Sequence, residues 1–180
     1  MKVLGIDPGT AATGYGVVVR SDGGAVSLVE CGVIRTEAAT PLPRRLREIF
    51  EGVSDLVRRH APDVVAIEDV FYGRNVRTTV VLGHARAAAM LAASLADAEV
   101  AEYSPSEVKN AIVGRGRAGK EQVQYMVQRL LRLKAPPRPH DAADAVAVAL
   151  CHCSAGAIDA GVERRPSDAE LLRRAAEYRP

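Results

Sequence analysis

Four carboxylates stand where segments of core character begin or end. Asp7 closes Lys-Val-Leu-Gly-Ile-Asp (2–7), Glu68 closes Val-Val-Ala-Ile-Glu (64–68), and Asp141 and Asp144 open Asp-Ala-Ala-Asp-Ala-Val-Ala-Val-Ala-Leu (141–150). Each is carried by an element that packs, so each has a rigid position. If they converge, two ionised groups about 5 Å apart at an effective dielectric near 20 repel by roughly 3 kcal/mol. Either some protonate or cations neutralise them. Donor sets made only of oxygen suit Mg²⁺, with Mn²⁺ as a substitute. Two such ions about 4 Å apart clamp the attacking and leaving oxygens of a phosphodiester. If Asp7, Glu68, Asp141 and Asp144 meet at one point, the chemistry open to them is phosphodiester hydrolysis assisted by two Mg²⁺ ions.

Singly, most of these acids have a plainer reading. Asp141 and Asp144 fit a helix cap and a first-turn acid, and Asp7 can cap the turn at Pro8-Gly9. Glu68 has no capping task after Val-Val-Ala-Ile. On a helix, Asp141 and Asp144 differ by roughly 60° and 4.5 Å, so one face presents both. His140, beside Asp141, reads either as an auxiliary base or ligand or as a surface residue at a helix start.

Residues suited to a polyanion accompany the acids. Between 109 and 138 eight basic residues, among them Lys109, Arg115, Arg117 and Lys120, face the single acid Glu121, the footprint of a nucleic-acid binder. A solvated helix face is the competing reading. Phe71 and Tyr72 are adjacent aromatics in a chain with 4% aromatic residues. With Arg74 and Arg77 following, they suit a wedge that stacks on unpaired bases; core packing of one ring is the alternative.

The elements that must position these residues follow from periodicity. Strand patterns at 2–7, 14–20 and 26–35 are joined by turn chemistry at Gly9 to Thr13 and Ser21-Asp22-Gly23-Gly24, which predicts an antiparallel meander. Leu46, Ile49, Phe50, Val53 and Val57 space a helix from Pro43 to His60. A buried strand at 64–68, a loop at 69–75 and an Ala-rich helix at 77–96 come next. A short strand near Val100 leads to the capping box Ser104-Pro105-Ser106-Glu107. Helices to Val113 and over 120–131 flank the basic loop 114–119. Pro136, Pro137 and Pro139 connect to a last helix at 141–152. The expected fold is α/β, a five-stranded mixed sheet flanked by helices on both faces, and ligands collect at strand carboxyl ends in such sheets. The expected organisation is one nuclease domain over 1–155 and a loosely ordered tail over 156–180, with a short helix near 168–177.

Bulk properties are consistent with one core. At 180 residues a single domain buries roughly 70% of its unfolded surface. The mean hydropathy of -0.01 and the lack of an apolar run near 20 residues argue against a membrane span. The chain begins directly on a strand pattern, so no export signal and a cytoplasmic location are expected. Cys31, Cys151 and Cys153 are an odd number, which favours reduced thiols and helix packing over disulfides or a Cys-His-Cys metal site.

Taken together, Gly5-Ile6-Asp7-Pro8-Gly9-Thr10 with Thr13-Gly14-Tyr15-Gly16, Ile67-Glu68-Asp69-Val70-Phe71, Val108-Lys109 to Gly114, Gly119-Lys120-Glu121-Gln122-Val123-Gln124 and His140-Asp141-Ala142-Ala143-Asp144-Ala145 resemble the RuvC family of bacterial crossover junction endodeoxyribonucleases, over about residues 1–153. The resemblance implies a ribonuclease H-like fold and a homodimer that nicks opposing strands of a Holliday junction symmetrically, using Mg²⁺. It implies the four acids as the metal-binding catalytic set, Phe71 as the aromatic that probes the opened junction, and Lys109 and Lys120 as DNA contacts near the scissile phosphate. It also implies the branch-migration proteins RuvA and RuvB as partners and a preference for thymine-containing sites. The Ala-rich helix, through Val80, Val81, Ala85, Ala88, Ala89 and Ala92, offers a close-packing face that is either the dimer interface or part of its own core.

Three other functions fit parts of the pattern. Asp-x-Gly-Thr is also a phosphate-cradling turn in actin-like and sugar-kinase nucleotide binders, but those need two such lobes. A junction binder without catalysis leaves the Asp141/Asp144 pair without a task. A pre-ribosomal RNA nuclease shares the fold, and the Phe71 loop with Lys109 and Lys120 favours a junction over RNA.

Overall fold

The computed structural model describes residues 1–70 and 76–158. Three strands open the chain: β1 (Lys2–Asp7), β2 (Ala12–Arg20) and β3 (Val26–Arg35). They form the antiparallel meander expected from their turns. Helix α1 (Leu42–His60) leads to β4 (Val64–Glu68), and α2 (Val76–Ser94) leads to β5 (Glu99–Tyr103). These two strands add in parallel, β4 onto β1 and β5 onto β4, giving the order β3-β2-β1-β4-β5. Helices α3 (Pro105–Val113), α4 (Lys120–Leu130) and α5 (His140–Ile158) complete the chain. The five-stranded mixed sheet with helices on both faces is the architecture read from the sequence.

Each face has its own core. Leu4, Ile6, Val17, Val65 and Ile67 pack with Ile49 and Val53 of α1 and Ala85 and Ala89 of α2. Val3, Val18 and Ala66 pack with α3, α4 and α5. Side chains alternate across a strand, and this decides where the acids point. On β1 the odd positions Val3, Gly5 and Asp7 share the α5 face; on β4 the even positions, including Ala66 and Glu68, do the same. Both strand-end carboxylates are therefore aimed at α5.

Two details refine the sequence reading. Helix α5 runs to Ile158, past the expected end near 152. Its buried side continues through Cys151 and Cys153, and the Arg20 guanidinium donates to the Cys153 carbonyl at 2.6 Å. On α2, Ala85, Ala89 and Ala92 of the suggested close-packing face are buried in the chain's own core, whereas Val80 and Leu91 are each 53% exposed and Leu95, just past the helix, is 69% exposed. The alanines of that face thus turn inward, and Val80 is its member that stays exposed. All three cysteines are free thiols, and burial pushes the Cys151 thiol up to about 12, as helix packing requires. Among the described residues no helix is long and apolar enough to cross a membrane. The expected tail helix near 168–177 lies outside the described residues.

Candidate active site at the carboxyl ends of β1 and β4

The floor of the site is glycine. Gly14 pairs with Asp7 across β1 and β2, and a Cβ on Gly14 would lie 2.0 Å from the carbonyl oxygen of Asp141. A Cβ on Gly5 would lie 2.1 Å from the Ala145 carbonyl, and one on Gly16 would lie 2.9 Å from the Val146 Cα. These contacts are with backbone, which cannot swing away. Helix α5 therefore rests on bare strand, and its side of the seam is Ala142, Ala145 and Ala149, all fully buried. The contact fixes the first turn of α5 beside the end of β1, where that turn supplies Asp141 and Asp144.

As a result, Asp7, Asp141 and Asp144 each offer a carboxylate oxygen within 4.8 Å of the others. Glu68 lies outside that trio and reaches the site by a hydrogen bond shared with Asp7. Burial, then the charges of Glu68 and Asp144, push Asp7 up to about 8. Burial also raises Glu68, with the charge of Asp144 adding and the Asp7 hydrogen bond opposing. The pair holds a proton that two exposed carboxyls would release, and Asp7 is the side that keeps it.

One cation already touches the cluster. Lys120 Nζ donates to Asp144 Oδ2 at 3.1 Å. Burial works against the charge of Lys120, but Asp144, Asp7 and Asp141 outweigh it and raise the ammonium above the usual lysine range. Lys120 is placed by its helix: the Gly119 N–H donates to Gln122 Oε1 at 3.1 Å, and Val123 and Val127 anchor α4 in the core. Lys109 on α3 acts on Glu68 through its charge, its helix started by the Ser104/Glu107 capping box.

Of the residues singled out in the sequence, the structure brings together Asp7, Glu68, Asp141, Asp144, Lys109 and Lys120. Arg115 and Arg117 are exposed on the loop between α3 and α4 that ends at Lys120. His140 is exposed at the start of α5. Phe71, Tyr72 and Arg74 lie outside the described residues. Sequence reasoning missed the residues that hold the turn after Asp7. The fully buried Thr13 donates its hydroxyl to the Gly9 carbonyl at 2.7 Å. Thr36 and Arg45 both donate to the Thr10 carbonyl. A threonine on a glycine-rich strand was the available signal for the first; nothing local marked Arg45.

The arrangement is an all-oxygen trio with a fourth acid beside it, short of positive charge, at the carboxyl ends of β1 and β4 in the middle of the sheet. A family model described as crossover junction endodeoxyribonuclease RuvC matches residues 3–152. This chain belongs to the RuvC family. It is 49% identical over 152 residues to the RuvC of Syntrophomonas wolfei, covering 84% of this chain and 88% of that one. Among solved structures, Thermus thermophilus RuvC superposes with a TM-score of 0.81 at 37% identity, covering 88% of this chain and 97% of that one. Thermus thermophilus RuvC in complex with Holliday junction substrate superposes at 0.79 with 34% identity, covering 88% and 96%. The ribonuclease H-like sheet expected from the sequence is the sheet of these RuvC relatives.

Proposed function

We infer that the chain is a structure-specific endodeoxyribonuclease that resolves Holliday junctions in recombination and repair by symmetric paired nicking. The observation that carries this is the convergence of Asp7, Glu68, Asp141 and Asp144 beside Lys120 in a chain of the RuvC family. The donor set fits Mg²⁺. It is all oxygen, and burial with like charge leaves Asp7 protonated up to about pH 8, a state that a cation resolves. Asp7, Asp141 and Asp144 would hold the metal, with Glu68 completing the set for a second. Bound there, Mg²⁺ supplies positive charge for a phosphodiester under attack and lowers the pKa of water.

The chain's own groups do the rest. The acids fix the geometry, and Asp7 must give up its proton before a cation enters. Lys120 and Lys109 place ammonium charge beside the acids, where a phosphate needs it. Arg115, Arg117 and Arg74 extend that charge along the DNA, and Phe71 and Tyr72 are assigned to unpaired bases at the junction centre. His140 is kept as an auxiliary group. Two active sites related by a two-fold axis suit a two-fold junction, and the exposed Val80 and Leu91 of α2, with Leu95 just past its end, form the surface assigned to the homodimer. RuvA and RuvB are proposed as partners on the strength of the resemblance. One nuclease domain over 1–155, with 156–180 appended, acting on cytoplasmic DNA, completes the reading.

The test is a synthetic four-way junction with Mg²⁺. Paired nicks at symmetric positions are expected, with linear duplex left largely intact; equal cutting of both substrates, or none, overturns the proposal.

A further inference from the structure

Beyond the four acids, two more carboxylates lie close to Glu68, and both are held by one arginine. Asp69 follows Glu68 directly, and Glu102 on β5 pairs with Ile67 of β4. Arg86, in the third turn of α2, makes an ion pair with Asp69 Oδ1 at 3.5 Å and touches Glu102 Oε2 through the same Nη2. Its side chain is 21% exposed, and its Nε is buried with no hydrogen-bond partner among the described residues. An arginine with a donor left unpaired at that depth is held there by its other contacts. Ala85 and Ala89 on either side are fully buried, so α2 cannot roll to release it.

The backbone between these groups is pinned as well. The Asp69 N–H donates to the Tyr103 carbonyl at 2.8 Å, extending the β4–β5 ladder one residue past Glu68. Asp69 Oδ1 also accepts the Val70 N–H at 2.8 Å. The peptide that leaves Glu68 is therefore clamped from three sides: by β5 through Tyr103, by its own carboxylate, and by α2 through Arg86. What is clamped is both the root of the Glu68 side chain and the point from which the chain departs toward 71–75.

We propose that Arg86 is a positioning residue for the nuclease reaction, fixing the peptide after Glu68 and keeping Asp69 and Glu102 turned away from the acid cluster. The proposal rests on the junction-nuclease reading. It asks two things of Arg86: a cation that satisfies two carboxylates, and a planar fork that fixes where they lie. Lysine supplies the first and not the second.

Arg86→Lys therefore separates the roles. It is expected to slow single-turnover nicking of a saturating four-way junction in Mg²⁺ by about tenfold, because small misplacements of a reacting group carry losses of this order or more. Junction affinity in EDTA should move by less than about twofold, since the charge that phosphates sense is retained. The triple variant Arg86→Gln/Asp69→Asn/Glu102→Gln removes the unpaired charge along with the clamp, and it should remain slow. A wild-type rate for Arg86→Lys, or recovery of the wild-type rate in the triple variant, overturns the proposal. So does a loss in rate that merely follows the folded fraction measured by calorimetry. One arm needs no activity: amide exchange at Asp69 in the free protein should quicken by about tenfold or more in Arg86→Lys, and unchanged exchange also overturns the proposal. A wild-type chain inert on junctions would sink the nuclease reading and leave this arm to decide on the clamp.

Discussion

Where α1 and α2 cover the sheet, Ile6, Val17, Ile49, Val53 and Ile67 interlock as fully buried branched side chains, whereas α5 lies on bare backbone at Gly5, Gly14 and Gly16. The first face is a thick core whose side chains can repack around a volume-conserving change. The second is a thin seam with no such slack, and it carries the acids. The difference separates two tasks that a single packed layer would mix: the α1/α2 face supplies stability, and the α5 face supplies position.

That division can be tested from either side. The largest effect should come from the acids themselves. Asp7→Asn is expected to reduce junction nicking by about a thousandfold or more, a few kcal/mol of lost charge stabilisation, while gel-shift affinity for the junction persists because the lysines remain. Loss of binding as well would make Asp7 a structural residue. Next comes the seam. Gly14→Ala puts a Cβ against the Asp141 carbonyl and should cost about 1–3 kcal/mol of stability, together with about a hundredfold in nicking per folded molecule. Its counterpart on the other face, Leu56→Ala, should cost about 3 kcal/mol by denaturant titration yet leave the rate per folded molecule as it was. If the two variants lost rate and stability in the same proportion, the contrast between the faces would collapse.

A smaller effect tests the charge stored on the α5 face. Asp7 has an ordinary value of 3.8 and is raised to about 8 in the fold. Between those limits the folded chain holds a proton that the unfolded chain has released, so metal-free stability must fall as pH rises through this window. Glu68 is shifted the same way and adds to the slope. In EDTA at pH 8, Asp7→Asn should therefore melt higher than the wild type, by about 4 °C or more. Saturating Mg²⁺ should narrow the gap by stabilising the wild type. A lower Tm for Asp7→Asn would reverse the assigned sign. The smallest effect expected is that of Lys120→Ala, which should weaken junction binding and reduce the slope of log affinity against log salt by about one.

Much of this was legible because it obeys local rules. Short apolar runs placed β1 and β4, turn chemistry gave the meander, and the capping box at Ser104 marked α3. The four acids could be picked out because each interrupts an apolar run. The seam between Gly5, Gly14, Gly16 and α5 could not be read, since it depends on which helix crosses which strand, and glycine in a strand is equally at home in a bulge. Arg45 and Arg86 were hidden for a related reason. An arginine on a helix looks solvated until the carboxylate or carbonyl it meets, on another element of the chain, is folded beside it. The two readings of the Ala-rich helix stayed open because an alanine-rich face looks the same whether it packs inward or outward; only the burial of Ala85, Ala89 and Ala92 against the exposure of Val80 and Leu91 tells the sides apart.

The glycine seam also bears on how this enzyme can vary. A methyl group is the smallest increment that side-chain chemistry offers, and at Gly5 and Gly14 there is no room for one. The gap between the strand-borne and helix-borne acids is therefore a tolerance set below the resolution of mutation. Substitution can break that spacing but cannot tune it, so adjustment of the reaction must fall to the acids, to Lys120 and to the loops around them.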